Sequence, residues 1–283
     1  MKATDFRFAL SGVAAIGLAL MGAAQAQEPA KKPNNITGAF EGWFKNPDGS
    51  FSLLLGYFNR DPKQEFDIPV GPDNRIEPGG PDRGQPTHFL TGRQWGMFAV
   101  KVPANFGQNK INWTITANGR TSVIPASLLP DYEISPFHEE AVGNTPPILT
   151  LGESGPSVQG PLGLTISRST TLADPLSVTV FVSDDEKWTT LSGARPRTLG
   201  NPVSVRWTKY RGTGEVTFSP DRPPVEKIEP KAGAKFSGKS TMTAKFSQPG
   251  DYVLHVIVND YSGDGGGEQC CWTFGDVKVS VKP

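Results

Sequence analysis

From Ile111 to Ala117 the chain alternates apolar and polar side chains (INWTITA), and Asn118-Gly119 then separates this run from Thr121–Ala126 (TSVIPA); this pattern restricts the fold more than any other. A period of two puts Ile111, Trp113 and Ile115 on one face of a strand and Asn112 and Thr114 on the other. That is the pattern of a sheet with one wet face, and it places Trp113 in a core. Asn-Gly supplies the positive backbone angles of a two-residue hairpin turn, so Ile111–Ala117 and Thr121–Ala126 are expected to pair as antiparallel strands.

The same pattern recurs along the chain. Thr37–Lys45 (TGAFEGWFK) and Phe51–Asn59 (FSLLLGYFN) flank Asn46-Pro47-Asp48-Gly49, a second hairpin signal. Thr87–Leu90 and Gly96–Val102 (GMFAVKV) are further strands, and the stretch 70–85, dense in proline and glycine, is expected to be a surface loop. Glycine (32) and proline (26) are abundant and helix-favouring runs are missing, so the fold class is all-β, many short strands joined by turns.

The N-terminus has a different character. Lys2 and Arg7 precede an uncharged apolar run, Phe8–Met21, and Ala24-Gln25-Ala26 offers small residues at a cleavage site. Residues 1–26 therefore read as a cleaved signal peptide, the apolar run being shorter than the ~20 residues that span a bilayer. No cysteine adjoins the cleavage site, so a soluble product in the periplasm or the medium is expected, with no membrane span. The formal charge is zero (28 basic, 28 acidic), or minus one after loss of Lys2, Arg7 and Asp5. Such balance argues against nucleic acid as a partner.

The mature chain is expected to comprise a flexible leader (27–35), a β-sandwich domain (36–137), a linker (138–143) and a second β-sandwich domain (144–283). The second contains the strand runs Leu176–Ser183, Val203–Lys209, Gly214–Ser219, Ser240–Phe246, Asp251–Asn259 and Asp276–Lys282, with early strand material near Ile148–Leu151 and Leu164–Ser167. The order NTPP, LSVTVFVSDD, VSVRWTKYRGTGEVTF, TAKFSQPGDYVLHVIVND, DVKVSVK resembles the PKD and related immunoglobulin-like repeats of bacterial exported proteins, over Asn144–Pro283. In that resemblance Trp207 matches the sandwich-core tryptophan, and Tyr252, after Pro249-Gly250, a tyrosine corner. Leu254 stands where antibody domains carry a core cysteine, so the inter-sheet disulfide is absent. The resemblance implies two immunoglobulin-like sandwiches in tandem doing interaction or spacing work. The first domain is similar only to segments of uncharacterised exported bacterial proteins.

Alternating chain direction brings three long connections to one end of the second sandwich: Asp184–Pro202, Pro220–Lys239 and Asp260–Gly275. Loops well beyond the usual hairpin length suit a binding surface on a rigid scaffold. The candidate binding face is Asp184, Asp185, Glu186, Trp188, Asp260, Asp264, Glu268 and Trp272. Its partner would be a protein or a glycan at the cell envelope, and the sequence leaves the oligomeric state open. Clustered carboxylates suit calcium, but Asp260-Tyr261-Ser262-Gly263-Asp264 lacks the register and closing glutamate of a calcium loop. No cofactor is therefore expected, calcium being the candidate if one binds.

Cys270 and Cys271 are adjacent and are the only cysteines. After export three states are open to them, a vicinal disulfide, an intermolecular bond or a soft-metal thiolate pair, and the vicinal disulfide is the first expectation. No Gly-x-Ser-x-Gly, His-Glu-x-x-His or phosphate-cradling loop occurs, so no catalytic residue is assigned and the chain is read as non-enzymatic. His255 alternates with the core residues Leu254 and Val256 and is expected to point outward, and His88 has no acidic neighbour in sequence. Trp43, Phe44, Tyr57, Phe58 and Trp95 offer an alternative function. One aromatic of each adjacent pair should be exposed, and exposed rings on a sheet can stack on sugars in a carbohydrate-binding accessory or polysaccharide-acting protein.

Overall fold

The computed structural model describes residues 35–139, 143–187, 201–260 and 270–283. The described residues are almost entirely strand and turn, with one short 3-10 turn at Pro130–Tyr132. The expected signal peptide and leader lie outside them, apart from Asn35. No helix among the described residues is long and apolar enough to cross a membrane. Residues 34–283 pack as one compact unit.

The N-terminal half contains β1 (Ile36–Lys45), β2 (Phe51–Asn59), β3 (Phe66–Asp67), β4 (Asn74–Glu77), β5 (His88–Phe89), β6 (Gly92–Val102), β7 (Lys110–Ala117) and β8 (Arg120–Ser127). They form the sheets β1-β2-β6 and β4-β7-β8, with a small β3-β5 ribbon. The β7–β8 hairpin closes with Ala117 opposite Arg120, leaving Asn118 and Gly119 as its two positive-φ turn residues. Residues 70–85 are not wholly loop. β4 pairs with β7, Ile76 opposite Trp113, and its Asn74 is buried, with Oδ1 accepting the Trp113 indole N–H at 3.0 Å. Four residues with one apolar side chain carry too little periodicity to stand out between prolines and glycines.

Leu53, Leu55, Tyr57, Phe89, Phe98, Val100 and Trp113 fill the space between the sheets, Phe98 meeting Trp113 edge-on at 5.1 Å. Trp43 and Phe44 are both buried because both faces of β1 are covered: Trp43 belongs to this core, whereas Phe44 packs with Leu54, Ile134, Trp272 and Phe274. Of the five aromatics that a sugar platform could use, Phe58 and Trp95 are exposed.

The C-terminal half contains β9 (Ile148–Leu151), β10 (Ser157–Gln159), β11 (Thr165–Thr171), β12 (Leu176–Asp184), β13 (Val203–Arg211), β14 (Val216–Ser219), β15 (Glu226–Lys227), β16 (Phe236–Phe246), β17 (Gly250–Asp260) and β18 (Trp272–Lys282). One sheet runs β10-β9-β12-β16-β14, with β15 also on β16, and the other β11-β18-β17-β13. The inner paths β9-β12-β16-β14 and β18-β17-β13 reproduce the A-B-E-D and G-F-C order of an immunoglobulin sandwich. Trp207, Tyr252 and Leu254 are buried in its core with Val180, Val256 and Val277. The Tyr252 hydroxyl donates to the Gln248 carbonyl at 2.8 Å, and its ring lies where a side chain at Gly212 would stand. Tyr252→Phe keeps the ring and leaves that carbonyl without its donor. A loss of about 1 kcal/mol is expected, measurable by urea denaturation; an unchanged midpoint would show that the hydroxyl does not tie the turn.

The outer face of β13-β17-β18 is covered by the N-terminal half. Tyr210 joins the N-terminal core cluster, and its hydroxyl donates to the Gly84 carbonyl at 2.7 Å. Arg211 forms a fork on Asp82, both contacts 2.9 Å, and also donates to the Gln85 carbonyl. This fork holds the Asp82 carboxyl below the usual carboxylate range. His255 does point away from its own sandwich core, as alternation requires, yet it is 0% exposed. It stacks on Tyr210 at 5.0 Å, and its Nδ1 meets an Asp276 oxygen at 2.7 Å. His88 has acidic partners brought by β3 and the turn before it: Asp67 at 2.8 Å and Glu65 at 3.0 Å.

Candidate binding site at one end of the C-terminal sandwich

The core-facing residues of β12 are Leu176, Val178, Val180 and Val182, and the next position with the same parity is Asp184. In β17 the stripe Tyr252, Leu254, Val256 and Val258 likewise ends on Asp260. The two strands lie in opposite sheets, so two carboxylates close the same end of the apolar core. Asp184 is 5% exposed and Asp260 3%.

Their surroundings differ. Asp260 Oδ2 accepts the Asn144 Nδ2 hydrogen at 2.7 Å. Asp184 Oδ1 accepts the Glu186 backbone N–H at 2.8 Å, and Asp184 Oδ2 is buried with no hydrogen-bond partner among the described residues. Burial pushes the Asp184 carboxyl up to about 7, against the Glu186 N–H, and the negative charges of Asp260, Asp185 and Glu186 add to the rise. A buried carboxylate oxygen without a donor is costly to ionise, so this group is poised to take up either a proton or a donor.

Outside this acid pair runs a groove of about 530 Å3. It lies on the outer face of β10-β9-β12 and is lined by Thr145, Pro146, Ile148, Thr150, Ser157 and Gln159, by Ser183, Asp184 and Asp185 at the end of β12, and by Lys231–Ala234, while parity turns the Asp184 carboxyl to the core side of the strand. Asp185 is fixed by the Thr145 backbone N–H (3.2 Å) and hydroxyl (3.0 Å), and Gln159 by the Pro146 carbonyl (2.7 Å). Lys187 donates to the Gly143 carbonyl at 2.6 Å, which ties the end of β12 to the entry of this half. Lys231–Ala234 falls within the Pro220–Lys239 connection that the sequence brings to this end, whereas Asn144 reads from sequence only as the start of the second half. The parity of Asp184 and Asp260 is the signal that could have found the buried pair.

The other candidate residues separate. Glu186 is half-buried with a positive φ of 54°, beside the acid pair. Trp188, Asp264 and Glu268 lie outside the described residues. Trp272 is not on a loop but is the first residue of β18, buried against the N-terminal half. β18 starts earlier than the sequence suggested because Trp272 and Phe274 face the other half, and an apolar stripe aimed at a neighbour does not read as core. The second of the three long connections is also shorter than expected, since β15 adds to β16 and β16 begins at Phe236. Cys270 and Cys271 are joined to each other as a vicinal disulfide, both buried, with a cis peptide bond between them. Among the described residues no three His, Cys, Asp or Glu side chains are grouped to hold a metal ion.

No family model matches the chain, and no curated protein matches it. Among solved structures it is similar to the N-terminal domain of PorA (11% identity, 48% of this chain and 97% of that one, TM-score 0.26). It is also similar to the D00-D0 domain of intimin (13%, 87% and 99%, 0.23) and to a protein of unknown function from Porphyromonas gingivalis W83 (10%, 87% and 99%, 0.23). Likeness at these TM-scores carries nothing to the function of this chain.

Proposed function

We propose that this is an exported, non-enzymatic binding protein of the bacterial envelope, whose PKD-like C-terminal sandwich takes its ligand at the end closed by Asp184 and Asp260. The observation that carries the reading is Asp184 Oδ2, buried without a donor among the described residues at a strand end whose neighbours Ser183 and Asp185 line a groove. A fold that only had to space two partners gains nothing from a carboxyl it must keep dry, and perturbed carboxyls beside a cleft mark functional sites. The ligand would present a hydrogen-bond donor to this end and lie along the groove between Ser183 and Lys231. The seam between the halves then serves as a rigid mount, and residues 1–26 deliver the chain across the inner membrane.

The test uses chain lacking residues 1–26 on a glycan array and against envelope extract, with Ala232→Trp and Asp184→Asn alongside. Ala232 is exposed on the groove wall, so tryptophan there obstructs the groove without entering the core. The expected result is a ligand held by the wild type and lost from both variants. A ligand held equally by all three would remove this end of the sandwich from the reading.

A further inference from the structure

The outer face of β1-β2-β6 is covered by Trp272 and Phe274 at the Phe44–Leu54 end and open at the other. On the open part stand Phe58, 37% exposed, and Trp95, 44% exposed. Each carries a guanidinium, Arg60 over Phe58 with its Cζ 4.8 Å from the ring centroid and Arg93 on Trp95 at 3.8 Å. Phe58 and Arg93 are direct cross-strand partners of β2 and β6, and so share a face. The four side chains form one continuous strip, Arg60–Phe58–Arg93–Trp95.

Its inner member is fixed. Arg93 donates to Glu41 Oε1 at 2.6 Å and to the Tyr57 and Gln94 carbonyls at 3.1 and 2.7 Å. Glu41 Oε2 takes the Gly96 backbone N–H at 2.6 Å. Gly56 leaves room for this arrangement, since a Cβ there would stand 2.2 Å from Glu41 Oε1 and 2.9 Å from Arg93 Nη1. Arg93 is the more buried of its stacked pair and covers one face of the Trp95 ring, which remains 44% exposed. At the other end Arg60 donates to the Thr37 hydroxyl at 2.7 Å and pairs with no carboxylate among the described residues. Glu41 offsets Arg93, and the charge left over on the strip is that of Arg60.

We propose that this strip binds an anionic polysaccharide through sugar rings that carry carboxylates. The exposed parts of the indole and phenyl rings can pack on the C–H face of a pyranose, and a guanidinium beside the ring donates two N–H bonds to its carboxylate. A cationic occupant is disfavoured, because each ring already holds a cation. Net charge, zero for the chain, draws neither a phosphodiester polymer nor a polyuronate over distance, so DNA is the competitor that the test must include. The aromatics and arginines are held in place before binding, which lowers the ordering cost. This surface lies on the N-terminal half and does not depend on the Asp184 groove.

Polygalacturonate and alginate are the probes, with dextran as the neutral polymer and single-stranded DNA as the competing polyanion, in calorimetry or affinity electrophoresis. The wild type is expected to bind both uronate polymers and not dextran, and to weaken as salt rises. Trp95→Ala and Arg60→Ala should each lower affinity at least tenfold while leaving the melting temperature within a few degrees, and Ala232→Trp should leave it unchanged. Arg60→Lys, which keeps charge without the planar fork, should recover only part of the loss. The proposal is overturned if no uronate polymer binds, if dextran binds equally well, if DNA binds more tightly at the same salt, or if Trp95→Ala and Arg60→Ala bind like the wild type. Loss of binding in Ala232→Trp would move the polysaccharide to the groove and overturn the strip as well.

Discussion

Trp272→Ala is expected to lower stability by about 3–5 kcal/mol, the usual cost of removing a buried aromatic, although Trp272 follows a cysteine pair in a region the sequence reads as loop. The indole packs with Phe44, Leu54, Ile134 and Phe274 where the two halves meet. Its N–H has no hydrogen-bond partner among the described residues, so the loss is one of packing. Gly96 provides the matching hollow: its φ is +49°, and a Cβ there would lie 2.2 Å from Trp272 Cζ2 and 2.7 Å from Cε2. Gly96→Ala should therefore cost about 2–4 kcal/mol, from the left-handed backbone and the overpacking together. In the double variant the alanine methyl enters the space the indole has left, so only the backbone part of the glycine penalty remains. Urea denaturation of the four proteins should give a coupling of about 1–3 kcal/mol. Additivity within about 0.5 kcal/mol would show that the indole does not rest on Gly96.

The same seam shows what a period of two can and cannot reveal. The resemblance placed Trp207 in the core, alternation in DYVLHVIVN put Tyr252 and Leu254 on one face and His255 on the other, and the side chains stand on those faces. Alternation says nothing about what covers a face. His255 read as a residue of a wet face, and it is buried with Tyr210 because the other half of the chain lies on them. The hairpin at Asn118-Gly119 was legible because its signal is local and its strands carry three apolar positions each. β4 was not, since its one apolar residue, Ile76, is made a strand residue by Trp113 across the sheet. The loop end of the C-terminal sandwich was legible as a location from chain direction alone. Its acidic residues were named from sequence as loop residues of a binding face, but the burial of two of them was not read. In β12 and β17 the parity count runs one step beyond the last valine and puts Asp184 and Asp260 inside. Of the five aromatics that the sequence offered for a sugar platform, Trp43 and Tyr57 lie in the N-terminal core, Phe44 is covered by the other half, and Phe58 and Trp95 are left exposed.

Asp184→Asn is expected to make the protein more stable at pH 8, by about 2–4 kcal/mol, and to flatten its dependence on pH. In the unfolded chain this carboxyl titrates near its ordinary value of 3.8, and in the folded chain burial lifts it to about 7. Between those values the folded state holds a proton that the unfolded state has released. Stability contributed by the protonated form is complete below pH ~4, declines as pH rises, and is lost above pH ~7. Other groups add their own slopes: Glu41 is also raised by burial, against its contact with Arg93, and Asp82 is lowered by Arg211. These are common to both proteins and cancel in the difference between wild type and variant. Asparagine keeps an oxygen for the Glu186 N–H and carries no charge to desolvate. Urea denaturation at pH 4.5, 6, 7 and 8 should therefore give two curves that nearly meet at the acid end and part steadily toward pH 8. Parallel curves would mean that Asp184 ionises normally in the folded protein, and the buried, donor-free oxygen on which the proposed binding end rests would lose its support.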